Sequence, residues 1–196
     1  MTKVSLEALV AGARSGCVVS FPTDTVPALA VLPRRSELIF AAKRRSADKP
    51  LILMAARAED LWPFCIGTDA EKQIWQQVAQ AYWPGALTLV LPASDLVPYV
   101  VNPIDPTTIG MRIPNCDLAR QILTQTGALA TTSANLSSHP PLLTMAEIDA
   151  QFPDILTLEL NELESGLTSG VPSTVAKWTD GAWQILRRGA IKFLAE

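Results

Sequence analysis

The segment TIGMRIPNCDLARQILTQTGALATT, residues 108–132, contains a predicted helix between two predicted strands. Residues 108–113 and 129–132 are short runs rich in apolar and β-branched side chains, which is typical of buried strands. Residues 117–126 between them fit a helix. Strands that alternate with helices along a chain indicate the α/β class, so this segment sets the expectation for the rest of the molecule.

The same alternation continues on both sides of this segment. Further helices are expected at 6–13, 36–45, 69–82 and 145–151, and further strands at 17–21, 28–32, 51–54 and 87–91. Near the C-terminus, Asp180-Gly181 is a hairpin signal between strands predicted at 174–178 and 183–186. A hairpin added to a βα pattern predicts a mixed sheet. We therefore expect one α/β domain over 1–196, with a twisted mixed parallel and antiparallel sheet and flanking helices.

The composition excludes several classes of protein. The 196 residues are 48% hydrophobic and 18% charged, which favours a buried core over disorder. No segment approaches the roughly 18 apolar residues of a membrane span, and residues 1–14 lack the core of a signal peptide. Cys17, Cys65 and Cys116 lie far apart without metal-site spacing, so reduced thiols packed in elements are expected. These features predict a cytoplasmic protein without a membrane partner.

Basic residues are concentrated in one stretch of a chain whose formal net charge is −3. Ser36 is the candidate N-cap of helix 36–45, whose C-terminal end would carry part of this charge. Charge count alone favours a solvated helix face, and a positively charged cleft is the alternative. The cations are Arg34, Arg35, Lys43, Arg44, Arg45 and Lys49.

Three loops carry polar side chains where predicted strands end or begin. Residues 21–27 place hydroxyls beside Asp24, residues 43–51 hold four cations before a strand, and residues 131–138 are rich in hydroxyl and amide groups. Such groups bind carboxylates and phosphates, and cations stabilise the charge of a breaking phosphoryl bond. Each polar loop is also compatible with ordinary turn chemistry.

Several familiar catalytic motifs are missing from the sequence. It contains neither a Walker A sequence nor the glycine fingerprint of a dinucleotide site. It also lacks the Gly-x-Ser-x-Gly nucleophile elbow, and His139, the one histidine, has no obvious acid and nucleophile nearby. A serine hydrolase is therefore not expected.

Seven short blocks in a fixed order resemble the YrdC family of threonylcarbamoyl-AMP synthases, over residues 6–191. The blocks are PTDT at 22–25, KRR at 43–45, WPGALT at 83–88, TIGMRIP at 108–114, SAN at 133–135, PSTV at 172–175 and ILRRG at 185–189. KPL at 49–51 follows the second block at the family's distance. Each block is weak alone, and their order gives the resemblance its strength.

The resemblance implies a YrdC/RibB-like fold with a concave, positively charged cavity. It also implies the reaction: L-threonine and bicarbonate or CO2 give a carbamate, which attacks the α-phosphate of ATP and expels pyrophosphate. Mg²⁺ would accompany ATP, and no metal site built from protein side chains is expected. The product would serve t6A modification of tRNA, which a separate transferase completes.

Residue roles follow from the same resemblance. Lys43 and Arg45 would be the catalytic cations, and Arg112 would bind the threonine carboxylate with its two-pronged guanidinium. The residues implied in ATP binding are Arg45, Lys49, Thr108, Asn135, Thr144 and Arg187. Those implied in threonine binding are Thr25, Arg112, Ser133 and Ser173.

Some positions keep a second interpretation. Thr144 fits the N-cap of helix 145–151 equally well, and Arg44 and Arg188 are expected to face solvent because adjacent side chains diverge. Pro27 and Met54 depart from the residues common in the family. An alternative function is a non-catalytic protein that binds double-stranded RNA or tRNA through phosphate contacts. The sequence does not distinguish a monomer from a dimer.

Overall fold

The fold is a single mixed β-sheet with helices on both faces. The computed structural model describes residues 2–44, 49–137, 139–160 and 168–194. The strands in these ranges are β1 (Lys3–Val4), β2 (Val19–Phe21), β3 (Ala28–Val31), β4 (Ile52–Met54), β5 (Leu87–Pro92), β6 (Thr108–Arg112), β7 (Leu129–Ser133), β8 (Leu156–Leu158), β9 (Thr174–Thr179) and β10 (Ala182–Arg187). Their order is β1-β8-β2-β3-β7-β4-β6-β5-β9-β10.

Parallel and antiparallel pairs alternate through the centre of this sheet. Strand β4 runs parallel to β6 and antiparallel to β7, while β5 runs antiparallel to β6 and parallel to β9. The C-terminal hairpin joins β9 to β10, and Asp180 and Gly181 at its tip have φ angles of 52° and 78°. Positive φ at both central positions is the requirement of a type I′ turn. The prediction of a mixed sheet with a late hairpin is confirmed.

Two groups of helices cover the two faces of the sheet. The helices are α1 (Leu6–Ser15), α2 (Glu37–Ala42), α3 (Asp69–Tyr82), α4 (Asp117–Thr126) and α5 (Met145–Gln151). One core contains apolar side chains of α2, α3 and α5, such as Ile39, Trp75 and Ile148. The other core contains those of α1 and α4, such as Leu9 and Ile122. The flanking helices expected from the sequence are therefore present.

Local signals explain why α3 matches its predicted bounds. The Thr68 hydroxyl accepts from the Glu71 amide at 3.3 Å, and the Glu71 carboxylate accepts from the Thr68 amide at 2.9 Å. This capping box pairs two amides that the first helical turn leaves without partners. At the other end, Pro84 disfavours helical backbone at Trp83, where α3 stops.

The prediction that Ser36 precedes α2 is confirmed, but its side chain does not cap the helix. Ser36 has helical angles, φ −59° and ψ −25°, and its side chain makes no capping bond. Its hydroxyl donates instead to the Pro33 carbonyl at 2.7 Å, within a preceding 3₁₀ turn over Pro33–Arg35. A proline-initiated turn therefore supplies the start of the helix. The predicted end at Arg45 lies outside the described residues, and α2 itself ends at Ala42.

Two strands were missed in the sequence. Strands β1 and β8 have two and three residues, and they pair in parallel with each other, while β8 also pairs with β2. Parallel pairing joins segments remote in the chain, so no local hairpin signal marks such strands. The prediction of a single domain over 1–196 stays a prediction.

The expectation of packed, reduced cysteines is confirmed for two of the three cysteines. Cys65 and Cys116 are buried free thiols, whereas Cys17 is exposed, so packing was wrongly expected for Cys17. Burial raises the pKa of Cys65 to about 11. In the part of the chain that the structure describes, no helix has the length and apolar character to cross a membrane.

Side chains alternate between the two faces of the central strands. On β6, Ile109 and Met111 enter the core shared with α3, and Thr108, Gly110 and Arg112 point to the opposite face. Helices α1 and α4 cover that opposite face near β8, β2 and β7, where their core partners lie. The face over β4, β6, β5 and β9 is left open, and this open half forms a cavity.

The pairing of β4 with β6 predicts a steric coupling between Gly110 and Ile52. A Cβ atom at Gly110 would lie 2.6 Å from Ile52 Cγ2 and 3.2 Å from Ile52 Cβ. We expect Gly110→Ala to lower the free energy of unfolding by about 1–3 kcal/mol because the site is overpacked. Denaturant titration in a double-mutant cycle measures this, with Ile52→Ala as the second change. Equal costs of Gly110→Ala in both backgrounds would contradict the described register.

Candidate functional site

The open half of the sheet forms a cavity of about 800 Å³. Its floor follows one row of paired residues: Thr131 on β7 pairs with Ile52 on β4, Ile52 with Gly110, Gly110 with Val90 on β5, and Val90 with Lys177 on β9. Four strand spacings of about 4.8 Å make this row roughly 19 Å wide. The volume lies within the usual range for small-molecule sites.

Lys43 and the turn after β7 form one end of the site. Lys43 is 1% exposed, and its Nζ donates to the Ser133 carbonyl and to Asn135 Oδ1, the latter at 3.0 Å. Ser133 Oγ donates to the same Asn135 oxygen at 2.6 Å, and Asn135 Nδ2 donates to the carbonyls of Leu136 and His139. Residues that are remote in the chain thus converge on one wall.

Arg112 lies at the opposite end of β6 and is held by three segments. Its Nη2 donates to Asp24 Oδ1 at 2.6 Å, Nη1 to Thr25 Oγ1 at 2.7 Å, and Nε to the Gly85 carbonyl at 2.9 Å. Burial lowers the pKa of Arg112, and the ion pair with Asp24 opposes that effect. A guanidinium has five N–H groups, so two remain for a ligand.

A hydroxyl pair lies beside Arg112, where β5 meets β9. Thr88 Oγ1 and Ser173 Oγ are 2.8 Å apart, and both residues are buried. Arg187 at the end of β10 donates from Nη2 to Ser173 Oγ at 3.2 Å and from Nε and Nη2 to the Ser173 carbonyl. Desolvation lowers the pKa of Arg187. This cluster joins β5, β9 and β10.

The rim at the far end of β6 contains Asp105 and Lys177. Thr108 Oγ1 donates to Asp105 Oδ2 at 3.0 Å, and Lys177 Nζ lies 3.7 Å from the same oxygen. The hydrogen bond from Thr107 contributes most to lowering the pKa of Asp105. Thr108 therefore lines the cavity with its hydroxyl already bonded to an acid, and a ligand at this position would contact both groups.

The structure brings together most of the residues that the resemblance implied. Lining the same cavity are Thr25, Lys43, Lys49, Thr108, Arg112, Ser133, Asn135, Ser173 and Arg187. Arg45 lies outside the described residues. Arg44 and Arg188 are exposed and are not among the lining residues, which agrees with the expectation that they face solvent.

Thr144 is the exception among the described residues of that set, and its assignment to ATP stays a prediction. It is not among the lining residues, and its hydroxyl accepts from the Glu147 amide at 3.2 Å and donates to the Glu147 carboxylate at 2.9 Å. These bonds form a capping box at the start of α5. The N-cap interpretation is therefore the one that the geometry supports.

Sequence reasoning missed four polar residues of the cavity: Thr88, Asn102, Asp105 and Lys177. A signal was present for Thr88 and Lys177, since each interrupts an apolar strand at a position that alternates with buried core residues. Asp105 lies in a loop, where acids are common, and only its contacts with Thr108 and Lys177 distinguish it.

The charged lining is dominated by cations. Among the described lining residues, the acidic side chain is that of Asp105, and the basic side chains are those of Lys43, Lys49, Arg112, Lys177 and Arg187. The positive potential expected of the cavity stays a prediction, since Asp24 and Asp105 neutralise part of this charge. The described residues contain no group of three or more His, Cys, Asp or Glu side chains that could hold a metal ion.

Comparison with known proteins identifies related sequences. A family model named Sua5_yciO_yrdC, described as telomere recombination, matches residues 12–189. A threonylcarbamoyl-AMP synthase of Vibrio campbellii is 32% identical over 190 residues, which are 94% of this chain and 99% of that protein. A protein of the same name from Pyrococcus abyssi is 33% identical over 183 residues, and the chain spans 52% of its length.

Solved structures agree with these relationships. Sua5 of P. abyssi complexed with L-threonine superposes with a TM-score of 0.82 at 31% identity, over 94% of this chain and 54% of that one. E. coli YciO superposes with a TM-score of 0.79 at 22% identity, over 94% of this chain and 88% of that one, and supports the fold alone. This chain therefore spans about half the length of the archaeal relatives.

The capping contacts of Thr144 give a direct prediction. We expect Thr144→Ala to lower the free energy of unfolding by about 1 kcal/mol, because the first turn of α5 loses its cap. Nucleotide affinity should stay within twofold of the wild type. Thr144→Ser, which keeps the hydroxyl, is the control and should match the wild type in both measurements. A loss of nucleotide affinity in a stably folded Thr144→Ala variant would instead support the assignment of Thr144 to ATP.

Proposed function

Because the chain belongs to the Sua5–YciO–YrdC family, we propose that it is a threonylcarbamoyl-AMP synthase, an enzyme that joins L-threonine, a one-carbon unit and AMP. The observation that carries the proposal is the single cavity, in which Arg112 and the cluster of Lys43 with Asn135 face the same space. One end presents a guanidinium suited to a carboxylate, and the other presents cationic and amide groups suited to phosphates.

The amino acid binds at the Arg112 end. Contacts with Asp24, Thr25 and Gly85 fix the guanidinium before the substrate arrives, so little ordering is needed on binding. Its two remaining N–H groups pair with the threonine carboxylate. Thr25 and Ser173, which line the same cavity, supply further polar contacts. Ser133, on the wall with Lys43 and Asn135, completes the proposed threonine set from the nucleotide side of the cavity.

The nucleotide binds towards Lys43 and the turn after β7. Lys43 and Arg45 neutralise charge on the phosphates as the phosphoryl bond breaks. Asn135, Lys49, Thr108 and Arg187 complete the set proposed for ATP. The row of paired residues on the cavity floor is about 19 Å wide, which gives room for a nucleotide beside an amino acid.

The reaction needs positioning more than covalent catalysis. The threonine nitrogen attacks the carbon of bicarbonate and loses protons, and the departing hydroxyl leaves as water. An oxygen of the resulting carbamate attacks the α-phosphorus of ATP, and the bond to the bridging oxygen breaks to release pyrophosphate. Holding the reactants in contact distance and neutralising their charges are the largest contributions a protein makes to such a transfer.

Mg²⁺ enters with ATP as part of the substrate. Mg²⁺ in phosphoryl-transfer sites is held by one or two carboxylates together with substrate phosphates. Asp105, the acid among the described lining residues, is compatible with that pattern, whereas a site built wholly from protein ligands is not. Bound with ATP, Mg²⁺ would shield the phosphate charge, and Lys43 and Arg187 would orient the phosphates.

The product would be passed to a separate transferase that acts on tRNA, in the cytoplasm. The alternative, a non-catalytic protein that binds double-stranded RNA or tRNA, gains no support from the relatives, which are named as synthases. The basic residues Lys43 and Arg112 are buried and contact groups inside the cavity instead of forming an exposed stripe for a polyanion.

Pyrophosphate release tests the proposal. With ATP, Mg²⁺ and bicarbonate, release should depend on L-threonine. Arg112→Lys keeps the positive charge but removes the planar guanidinium, which can donate two parallel hydrogen bonds to a carboxylate. In this variant the KM for threonine should rise roughly tenfold or more, and the KM for ATP should change less.

Arg188→Lys is the matched control, since Arg188 is exposed and does not line the cavity. It should behave as the wild type. Release that is independent of threonine, or no release at all from the wild type, would contradict the proposal.

A further inference from the structure

Residues 189–193, which follow β10, run back along the first residues of β9. Thr174, the first residue of β9, holds this segment with its side chain. Its Oγ1 accepts from the Gly189 amide at 3.0 Å and donates to the Ile191 carbonyl at 2.6 Å. The hydroxyl thus uses its single donor and one of its acceptor positions to join segment 189–193 to the sheet.

Thr174 faces the side of the sheet opposite the cavity. It is 1% exposed, and on β9 it shares its face with Ala176 and Trp178, which belong to the core packed against α3. Ser173, the residue before it, lines the cavity. The hydrogen bonds of Thr174 therefore hold the start of β9 from behind, while Ser173 meets the cavity.

Segment 189–193 also contacts the main chain of Ser173 directly. The Ala190 amide donates to the Pro172 carbonyl at 2.8 Å. A Cβ atom at Gly189 would lie 2.2 Å from the Pro172 carbonyl oxygen and 2.4 Å from the Ser173 carbonyl carbon. Such a close approach of two main chains requires glycine. The peptide groups around Ser173 are therefore supported by this segment.

An aromatic contact fixes the far end of segment 189–193. Phe193 is 5% exposed, and its ring centroid lies 5.3 Å from that of Tyr82 on α3 and 5.8 Å from that of Trp183 on β10. Both pairs have edge-to-face geometry, which adds to the stabilisation from burial. The segment therefore joins α3 to the start of β9, and regular elements hold both of its ends.

The residues before Ser173 are anchored by the loop that follows β2. The Gly170 amide donates to the Thr25 carbonyl at 2.8 Å. The hydroxyl of Thr25 in turn accepts from Arg112 at 2.7 Å. Ser173 therefore lies between two anchors, one on the Arg112 side of the cavity and the other made by segment 189–193.

We propose that Thr174 is a positioning residue, which holds segment 189–193 and thereby fixes Ser173 and Arg187 where the substrates contact them. This inference rests on the proposed function, which places Ser173 in the threonine set and Arg187 in the ATP set. Arg187 lies two residues before Gly189, and it donates to the Ser173 carbonyl from Nε at 3.1 Å and from Nη2 at 2.9 Å. A shift of the segment would move both side chains together.

The expected effect on the substrates follows from the position of Thr174. It is not among the described residues that line the cavity, so it acts through its neighbours. Displacing a polar group of a site by about 1 Å weakens its contacts with a ligand. Loss of the Thr174 hydroxyl should therefore weaken the binding of both substrates and leave the chemical step nearly unchanged.

Thr174→Val tests this role because it keeps the shape of the side chain and removes both hydrogen bonds. In assays of pyrophosphate release, we expect the KM for threonine and the KM for ATP to rise about fivefold each, with kcat within about twofold of the wild type. Thr174→Ser, which restores the hydroxyl, should return both KM values towards those of the wild type.

The matched control is Thr157→Val. Thr157 is a fully buried threonine on β8 whose hydroxyl donates to the Ile155 carbonyl at 3.3 Å, and it is not among the described lining residues. This variant should lower the Tm, as Thr174→Val does, and leave both KM values unchanged. Circular dichroism at the assay temperature checks that each variant is folded.

A second pair of variants serves if Thr174→Val does not fold. Phe193→Leu removes the aromatic contacts at the far end of segment 189–193, and both KM values should rise about threefold. Phe152 is equally buried at 5% exposure and is not among the described lining residues. Phe152→Leu should therefore leave both KM values unchanged.

The outcomes separate this inference from the proposed function. A wild-type protein without threonine-dependent release would overturn both. An active wild type in which Thr174→Val leaves both KM values unchanged or lowers kcat alone would overturn the positioning role and leave the proposed function standing. Equal increases of KM in Thr157→Val and Thr174→Val would do the same, because the effect would then be one of general stability.

Discussion

The side-chain ammonium of Lys43 lies buried between the end of α2 and the turn after β7, where it donates to the Ser133 carbonyl and to Asn135. A buried charge is tolerated only when it is bonded, so this contact fixes the positions of two segments that are remote in the chain. The hydroxyl of Ser133 and the amide of Asn135 are oriented by the same network. The rest of the site is built around this fixed wall.

The second constraint is the two-residue period of the strands. Core residues such as Leu53, Leu89 and Met111 fill one face and pack against α3, so the residues between them must face the opposite side. Because α1 and α4 cover only part of that side, these alternate residues line an open cavity. Arg112, Thr88 and Lys177 are therefore placed in the site by the same alternation that builds the core.

The sequence predicted elements well where local chemistry decides the conformation. The bounds of α3 follow from the Thr68–Glu71 capping box and from Pro84, all visible in the sequence. Prediction failed where tertiary contacts decide. Strand β8 exists because β1 and β2 pair with it. Family resemblance found Arg112 and Asn135, but it could not show that Thr144 bonds to Glu147 outside the cavity or that Thr88 bonds to Ser173.

The most direct test of the account is a crystal structure of the protein with L-threonine and a non-hydrolysable ATP analogue. The account predicts both ligands in the cavity over β4, β6 and β5. The threonine carboxylate should lie within hydrogen-bond distance of Arg112, and the triphosphate should lie beside Lys43 and Asn135. A nucleotide bound elsewhere on the molecule, or threonine bound away from Arg112, would contradict it.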